Sequence, residues 1–405
     1  MTQRFAFLAG PELANVLALL NPPGEETRVV GGAVRGALMG LDPADFDLAT
    51  TLLPDAVMQL AGRAGLRTIP TGIGHGTVTV LAAGVPFEVT TLREDIATDG
   101  RHATVRFGRS FVADALRRDF TMNALSVSAD GRLHDYVGGQ ADIAARRVRF
   151  IGDPAQRIAE DFLRALRFFR FHAAYGAGEP DAAALAAILK ARQGLLWLSR
   201  ERVRMELFKL LAAPGAAQAA QAMSDMDIFG LLLGGVVAPA RLARVMALGV
   251  AEPLLRLAGL ALWTQEDALR LGERLRLSRF EAARLVDCAA VRAAWHGAAK
   301  PPGQEDLQHF LLLYGHAATA DGLLLVQAEG FGQAGSWSQA FAVLADLPRP
   351  RLPFSGADLR QHGVEAGPKM GAMLKTLQAR WIRAGFPKDP AQLARLLEEV
   401  VGKGV

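Results

Sequence analysis

RVVGGAVRGALMGLDPADFDLATT, residues 28–51, sets a glycine pair and an arginine ahead of two aspartates spaced two apart. Arg28 to Val30 predicts a short strand, Gly31-Gly32 a turn, and Ala33 to Met39 a short helix. Asp45 to Thr50 alternates polar and apolar, which predicts a second strand with Asp45, Asp47 and Ala49 on one face and Phe46 and Leu48 on the other. Carboxylates at i and i+2 on a strand point the same way, about 7 Å apart at the backbone, so their side chains can converge on a pair of divalent ions. Paired carboxylate oxygens are the donors magnesium prefers.

Working outward, Pro54 opens a helix to Ala61. HGTVTVL (His75 to Leu81) and PFEVTTL (Pro86 to Leu92), joined through Ala83-Gly84-Val85, predict an antiparallel hairpin with Glu88 and Thr90 on one face and Phe87 and Val89 on the other. Facing the aspartates, Glu88 would supply a third oxygen ligand or a base for an attacking hydroxyl. The Gly31-Gly32 turn before a helix frees amides for a triphosphate, with Arg35 nearby to share the charge. Together these residues predict a nucleotidyl-transfer site. Arg93 to Arg106 is polar and turn-rich and reads as a mobile loop, and from Phe111 the pattern turns helical.

Ala155 to Ala174 predicts a helix with Ile158, Phe162, Leu166 and Phe169 on one stripe. A second helix, Ser199 to Leu211, carries Val203, Leu207 and Leu210, with Ser199 as its N-cap. Ala/Leu-rich helices continue to about residue 330, and Pro348, Pro350 and Pro353 break the pattern before a last helical unit. The fold class is α+β, a mixed β-sheet head followed by an all-α remainder. A chain of 405 residues, 51% hydrophobic and 21% charged, predicts several packed domains.

The net charge is only +4, but the pI is near 9.4 and arginine dominates over lysine, which suits recognition of phosphates and base edges. A single cysteine, Cys288, excludes an intrachain disulfide framework and fits a reducing compartment. The N-terminal stretch is interrupted by Gly10, Pro11, Glu12 and Asn15, unlike a signal peptide, and no unbroken apolar run is long enough to span a bilayer. A soluble, cytoplasmic protein is expected, with no membrane and no obligate protein partner.

VVGGAVRGALMG…DFDLATT, FEVTTLR, RRDFTMNAL, RIAEDFLRALRFFRF and SRERVRMELFKLL occur in an order that closely resembles the class II tRNA nucleotidyltransferase/poly(A) polymerase family of the polymerase β superfamily, over residues 27–212. TGIGHGTVTV, TDGRHATVRFG and VRFIGDPAQRI look more like a bacterial CCA-adding enzyme than a bacterial poly(A) polymerase, and SGADLRQHGVEAGPKMG is similar to the tail segment of CCA enzymes.

The resemblance implies a polymerase-β-like nucleotidyltransferase head over 1–140, a neck over 141–213 for base recognition, and a body (214–335) and tail (336–405) that hold the acceptor and T arms of tRNA. It implies a two-metal Mg2+ site with Asp45 and Asp47 as ligands and Glu88 as third carboxylate. Gly31, Gly32, Arg35, Arg117, Arg118, Asp119, Asn123 and Arg167 would surround the CTP or ATP, and Asp161 with Arg164 would read its base. Three apart, Asp161 and Arg164 would be neighbours on a helix face, where a carboxylate accepts from an exocyclic amine and a guanidinium donates to ring nitrogen or carbonyl. The family usually has an aspartate where this chain has Gly36, so any hydrogen bond from that position is lost.

Other features read as structural. Thr71 to Thr77 lacks the lysine of a P-loop and is a turn into a strand, and His134-Asp135 is a loop pair without helical histidine partners. Trp263, Trp295 and Trp337 fit a core as well as an RNA-stacking role; Arg274, Arg276 and Arg279 fit either a tRNA backbone or a solvated face. A poly(A) polymerase or A-adding specialist on the same scaffold, and a non-catalytic RNA-binding protein, are the rival readings.

Overall fold

The β-branched run before the glycine pair forms β1 (Thr27–Val30), and all four of its residues are buried, as befits a strand covered on both faces. The computed structural model describes residues 4–43, 45–98, 103–298, 300–330 and 334–402. The remaining strands are β2 (Asp47–Thr50), β3 (Arg67–Gly72), β4 (Thr77–Ala82), β5 (Val85–Thr91), β6 (Arg93–Thr98), β7 (Ala103–Phe107), β8 (Ser126–Ser128) and β9 (Leu133–His134). Seven form one mixed sheet in the order β3-β4-β5-β2-β1-β8-β9, and β6 pairs with β7 separately. Among the described residues only the β2–β5 pair is parallel.

The expected hairpin is β4–β5, turning at Ala83 and Gly84, both at positive φ, the backbone of a tight two-residue connection. Phe87 and Val89 are buried at 1% exposure each, while Glu88 on the opposite face is exposed. Three expectations need correction. Strand β2 begins at Asp47, so Asp45 precedes it. Arg93 to Arg106 is not an open loop but the β6–β7 hairpin, with residues 99–102 outside the described residues. The region beyond Phe111 opens with a helix over Phe111–Leu116, as expected, but then contains β8 and β9 before the helices continue. Those two strands are too short, at 3 and 2 residues, for alternation to reveal them.

Helices of the first compact unit, Met1–Leu232, are α1 (Pro11–Leu19), α2 (Gly32–Leu38), α3 (Pro54–Arg63), α4 (Phe111–Leu116), α5 (Gly139–Ala144), α6 (Pro154–Glu160), α7 (Leu163–Tyr175), α8 (Ala182–Ala191), α9 (Arg200–Ala212), α10 (Ala216–Asp225) and α11 (Ile228–Leu232). The expected helix from Ala155 to Ala174 is thus two helices. Asp161 is extended (φ −157°, ψ 107°), its Oδ1 accepts from the backbone N–H of Leu163 at 3.0 Å, and the chain restarts as α7. A short polar side chain that bonds its own backbone competes with the helix at this point. Phe162 then packs where a Cβ on Gly194 would stand 2.1 Å from its ring, so only glycine fits beneath it. Ser199 caps α9 as expected, accepting from Arg202 N–H at 3.4 Å.

The second unit, Leu233–Val405, contains α12 (Pro239–Ala247), α13 (Pro253–Ala261), α14 (Gln265–Arg274), α15 (Arg279–Trp295), α16 (Gln304–Ala328), α17 (Ala334–Asp346), α18 (Gly356–Gln361), α19 (Pro368–Arg383) and α20 (Pro390–Val401). Trp337 is core, packed with Leu311, Leu323 and Val326; Trp295 is half-buried against Phe310. Helix α16 is long and apolar enough to cross a membrane, but it kinks at Gly315 and half of its most apolar stretch is buried inside the protein. At the centre of this unit Glu329 accepts from Arg292 Nε at 2.5 Å and Arg241 Nη1 at 3.2 Å. Arg241 also donates to the carbonyls of Gly259, Ala258 and Leu262 and lies over the Trp263 ring at 3.7 Å. Burial pushes Arg241 down to about 10, Arg292 adding to the shift and Glu329 opposing it.

Two stability predictions follow from these placements. Gly31 sits at φ 66°, ψ −118°, and a Cβ there would stand 3.3 Å from Arg118 Nη1. Gly31→Ala should cost about 1–3 kcal/mol in chemical denaturation. Glu329→Ala would strand two buried guanidiniums and should cost about 3 kcal/mol or more, seen as earlier melting of the second unit in proteolysis-coupled thermal scans.

Candidate active site

The parallel pairing of β2 with β5 aligns Asp47 with Glu88, so both side chains leave the same face of the sheet from adjacent strands, about 4.8 Å apart at the backbone. Both line a cleft of about 910 Å³, open to solvent, whose floor is the sheet and whose far wall is α7. Among the described residues, Asp45, Asp47 and Glu88 have no hydrogen-bond or ion-pair partner. Desolvation in the cleft raises the Asp47 pKa; Arg118 opposes this and Asp45 adds to it. Desolvation likewise raises Glu88, with the Asp47 charge adding to it. Two unpaired carboxylates with raised affinity for a proton suit a hard divalent cation, and they are the residues that would hold one. No three such side chains among the described residues stand close enough to enclose a metal alone. Magnesium is commonly held by one or two carboxylates plus water and substrate phosphates, so the pair fits such an ion.

Opposite the carboxylates stands a guanidinium wall. Asp114, which sequence reading missed, accepts from Arg117 at 2.5 Å and from Arg118 at 3.0 Å. Its spacing from them, three and four along the chain, is the signal that would have found it. Burial works to raise the Asp114 carboxyl, but Arg118 and Arg117 hold it below its ordinary value. Arg118 also donates to the carbonyl of Asn123 at 3.1 Å. Arg117 and Arg118 are thereby fixed with their remaining donors toward the cleft that both line.

Asp119 and Asn123 line the cleft but spend their side chains on neighbours. Asp119 accepts from Asn123 Nδ2 at 2.9 Å and from Arg167 at 2.6 Å; burial favours its protonation, and Arg167 and Asn123 outweigh it, leaving its pKa lowered. Arg35 donates to Asn123 Oδ1 and to the Tyr175 hydroxyl at 3.1 Å, stacked 4.3 Å from the Tyr175 ring centroid. Arg35 itself lines the cleft, as do both glycines of the Gly31-Gly32 turn. Arg170, Tyr175 and Glu206 also went unforeseen: Glu206, buried on α9, accepts from Arg170 at 2.5 Å and Arg167 at 3.5 Å.

Asp161 and Arg164 line the same cleft from its helical wall, although not as neighbours on one continuous helix. Asp161 Oδ2 accepts from Arg202 Nη2 at 2.7 Å, and Arg164 pairs with Glu160 and donates to the carbonyl of Arg157 at 2.9 Å. His134 and Asp135 are structural. His134 contacts the Ser128 hydroxyl at 2.6 Å, and Asp135 accepts the backbone N–H groups of Val137, Gly138, Gly139 and Gln140. A Cβ on Gly36 would make ordinary contact with Leu41, 3.7 Å from its carbonyl oxygen.

A family model described as the poly A polymerase head domain matches residues 27–149, the part that builds the sheet and the carboxylate pair. The mitochondrial CCA tRNA nucleotidyltransferase 1 of Mus musculus is 33% identical over 403 residues, spanning 96% of this chain and 90% of that protein. The CCA-adding enzyme of Limosilactobacillus fermentum is 29% identical over 401 residues, 95% and 96% of the two chains. The crystal structure of the Bacillus stearothermophilus CCA-adding enzyme in complex with CTP superposes with a TM-score of 0.77 at 26% identity, covering 100% of this chain and 99% of that one. Fold, cleft and relatives define an enzyme that transfers nucleotidyl groups. More narrowly, the chain belongs to the CCA tRNA nucleotidyltransferase family.

The carboxylate pair makes a prediction independent of turnover. Magnesium should raise the melting temperature of the chelator-treated protein, and Asp47→Asn or Glu88→Gln should abolish that rise. Because both carboxyls carry raised pKa values, protons compete with the cation. The rise should be full where both are ionised and should fade as pH falls through their raised values, read by calorimetry across pH 4 to 8. An unchanged magnesium response in Asp47→Asn would remove the assignment.

Proposed function

We propose that this protein adds C, C and A to the 3′ end of tRNA from CTP and ATP, without a nucleic-acid template, and releases pyrophosphate at each step. The observation that carries the reading is one cleft lined by Asp47 and Glu88 on its floor and by Asp161 and Arg164 on its wall. Full-length similarity to proteins named for CCA addition supports it.

In this reading Asp45 and Asp47 would hold two magnesium ions, with Glu88 the third carboxylate beside them, and the ions when bound would supply charge neutralisation at the entering and leaving oxygens of the α-phosphate. Arg117 and Arg118, held by Asp114, and the Gly31-Gly32 turn receive the triphosphate. The tRNA 3′-oxygen forms a bond to the α-phosphorus as the bond to pyrophosphate breaks, and the hydroxyl proton passes to a floor carboxylate, for which Glu88 with its raised pKa is suited. Asp161 accepts from the exocyclic amino group that cytosine and adenine share, and Arg164 donates to the adjacent acceptor; uracil and guanine present a carbonyl to the carboxylate and are rejected. Arg35, Asp119, Asn123 and Arg167 keep the two walls in register. The head (1–140) and neck (141–213) perform this chemistry, the body (214–335) and tail (336–405) hold the acceptor and T arms, and the work is done in the cytoplasm.

The test is gel-resolved extension of tRNA ending at the discriminator base, at C and at CC, with CTP, ATP or both and magnesium. Addition of C, C and A followed by arrest is expected. Asp47→Ala should lower incorporation on the order of a thousandfold while tRNA binding persists. Asp161→Ala should collapse the preference for CTP and ATP over UTP and GTP by roughly a hundredfold. Runaway A addition would make the protein a poly(A) polymerase, A added only to CC an A-adding specialist, and no addition at all a binding module.

A further inference from the structure

Helix α9 contributes no side chain to the cleft, yet one of its arginines reaches the base-reading carboxylate. Arg202 Nη2 on α9 donates to Asp161 Oδ2 at 2.7 Å, and the other oxygen, Oδ1, accepts from Leu163 N–H at 3.0 Å. Each carboxylate oxygen is therefore gripped by a donor from a different element, which fixes the plane of the group and leaves spare lone pairs on both oxygens. The backbone beneath it is not helical, so no helical ladder restrains Asp161. Its carbonyl accepts from Arg164 N–H at 3.0 Å, and its neighbour Phe162 is wedged on Gly194. Arg202 itself stands on a firm base, because Glu206 four residues along ties α9 to α7 through Arg167 and Arg170.

We propose that Arg202 is a positioning residue for base selection, holding the Asp161 carboxylate so that it meets an amino group and cannot turn away from a carbonyl. The inference rests on the reading of Asp161 as the base-reading acceptor. Selection against uracil and guanine depends on repulsion between carboxylate and carbonyl oxygens, and repulsion selects only if the repelled group is held in place. A carboxylate free to rotate would swing aside and admit the wrong base. The Asp161–Arg202 pair is partly open to water, at 26% and 38% side-chain exposure, so the fold should not depend on it.

Steady-state incorporation of CTP, ATP, UTP and GTP would be measured for Arg202→Ala, Arg202→Lys, Asp161→Ala and the double Asp161→Ala/Arg202→Ala protein, with melting temperatures alongside. Arg202→Ala should keep the wild-type melting temperature within about 3 °C. It should raise KM for CTP and ATP about tenfold with a smaller change in kcat, and narrow the CTP-over-UTP and ATP-over-GTP ratios about tenfold. Arg202→Lys, which restores one charged donor, should recover part of that ratio, and Arg202→Ala should change nothing further in the Asp161→Ala background. Unchanged ratios in Arg202→Ala while Asp161→Ala collapses them would overturn the inference and leave the base-reading role intact. An equal loss from Arg202→Ala with and without Asp161 would overturn it as well. Ratios that survive Asp161→Ala would remove the base-reading role, and the inference with it.

Discussion

One strand pairing organises the catalytic end of this molecule. Among the described residues β2 and β5 are the only parallel neighbours in a sheet otherwise antiparallel, and their register sets Asp47 directly beside Glu88. Parallel neighbours cannot be joined by a tight turn, and here the chain passes through α3, β3 and β4 before β5 returns. That excursion places β5 between β4 and β2 and turns its polar face toward the cleft. A slip of one residue would put Phe87 beside Asp47 and drive Glu88 into the core. The burial of Phe87, Val89 and Leu48 therefore holds two like charges together that would otherwise separate.

Opposing that concentration of negative charge is an arginine framework that runs without interruption from α2 to α9. Arg35 joins Asn123, Asn123 joins Asp119, Asp119 joins Arg167, and Arg167 and Arg170 meet at Glu206. Guanidinium suits this work because its planar fork bonds two partners at fixed angles and remains charged where partly buried. A lysine would offer a point charge without orientation. The framework links the wall that carries Asp119 and Asn123 to the helix that carries Arg164, so the two halves of the cleft are one hydrogen-bonded object. The second unit uses the same device for a different end: Arg241 and Arg292 close on Glu329 as a buried polar centre among Ala/Leu helices.

Several parts of this arrangement were legible in the chain. The glycine pair at a positive-φ turn, the alternation that buries Leu48 and Phe87, the hairpin and the Ser199 cap follow from local steric and hydrogen-bonding rules, and each stands where those rules put it. Others were not. The stripe Ile158, Phe162, Leu166 and Phe169 keeps helical spacing straight through the break at Asp161, because apolar periodicity reports which residues are buried and not whether the backbone between them is continuous. The paired strands β6 and β7 read as a loop because polar strands outside the main sheet carry no burial signal.

The sequence by itself determined the residue types of the cleft, the local elements that carry them and, through an ordered set of motifs, the family. Tertiary structure alone decided that Asp45 lies outside the strand that carries Asp47, that Asp114 clamps Arg117 and Arg118, and that Asp161 sits at a break where Arg202 can grip it. The physical reason is separation along the chain. Propensity and periodicity act over a few residues, whereas the grip on Asp161 joins positions 41 apart and the tie from Arg167 to Asp119 joins positions 48 apart, and such contacts exist only once the helices have packed.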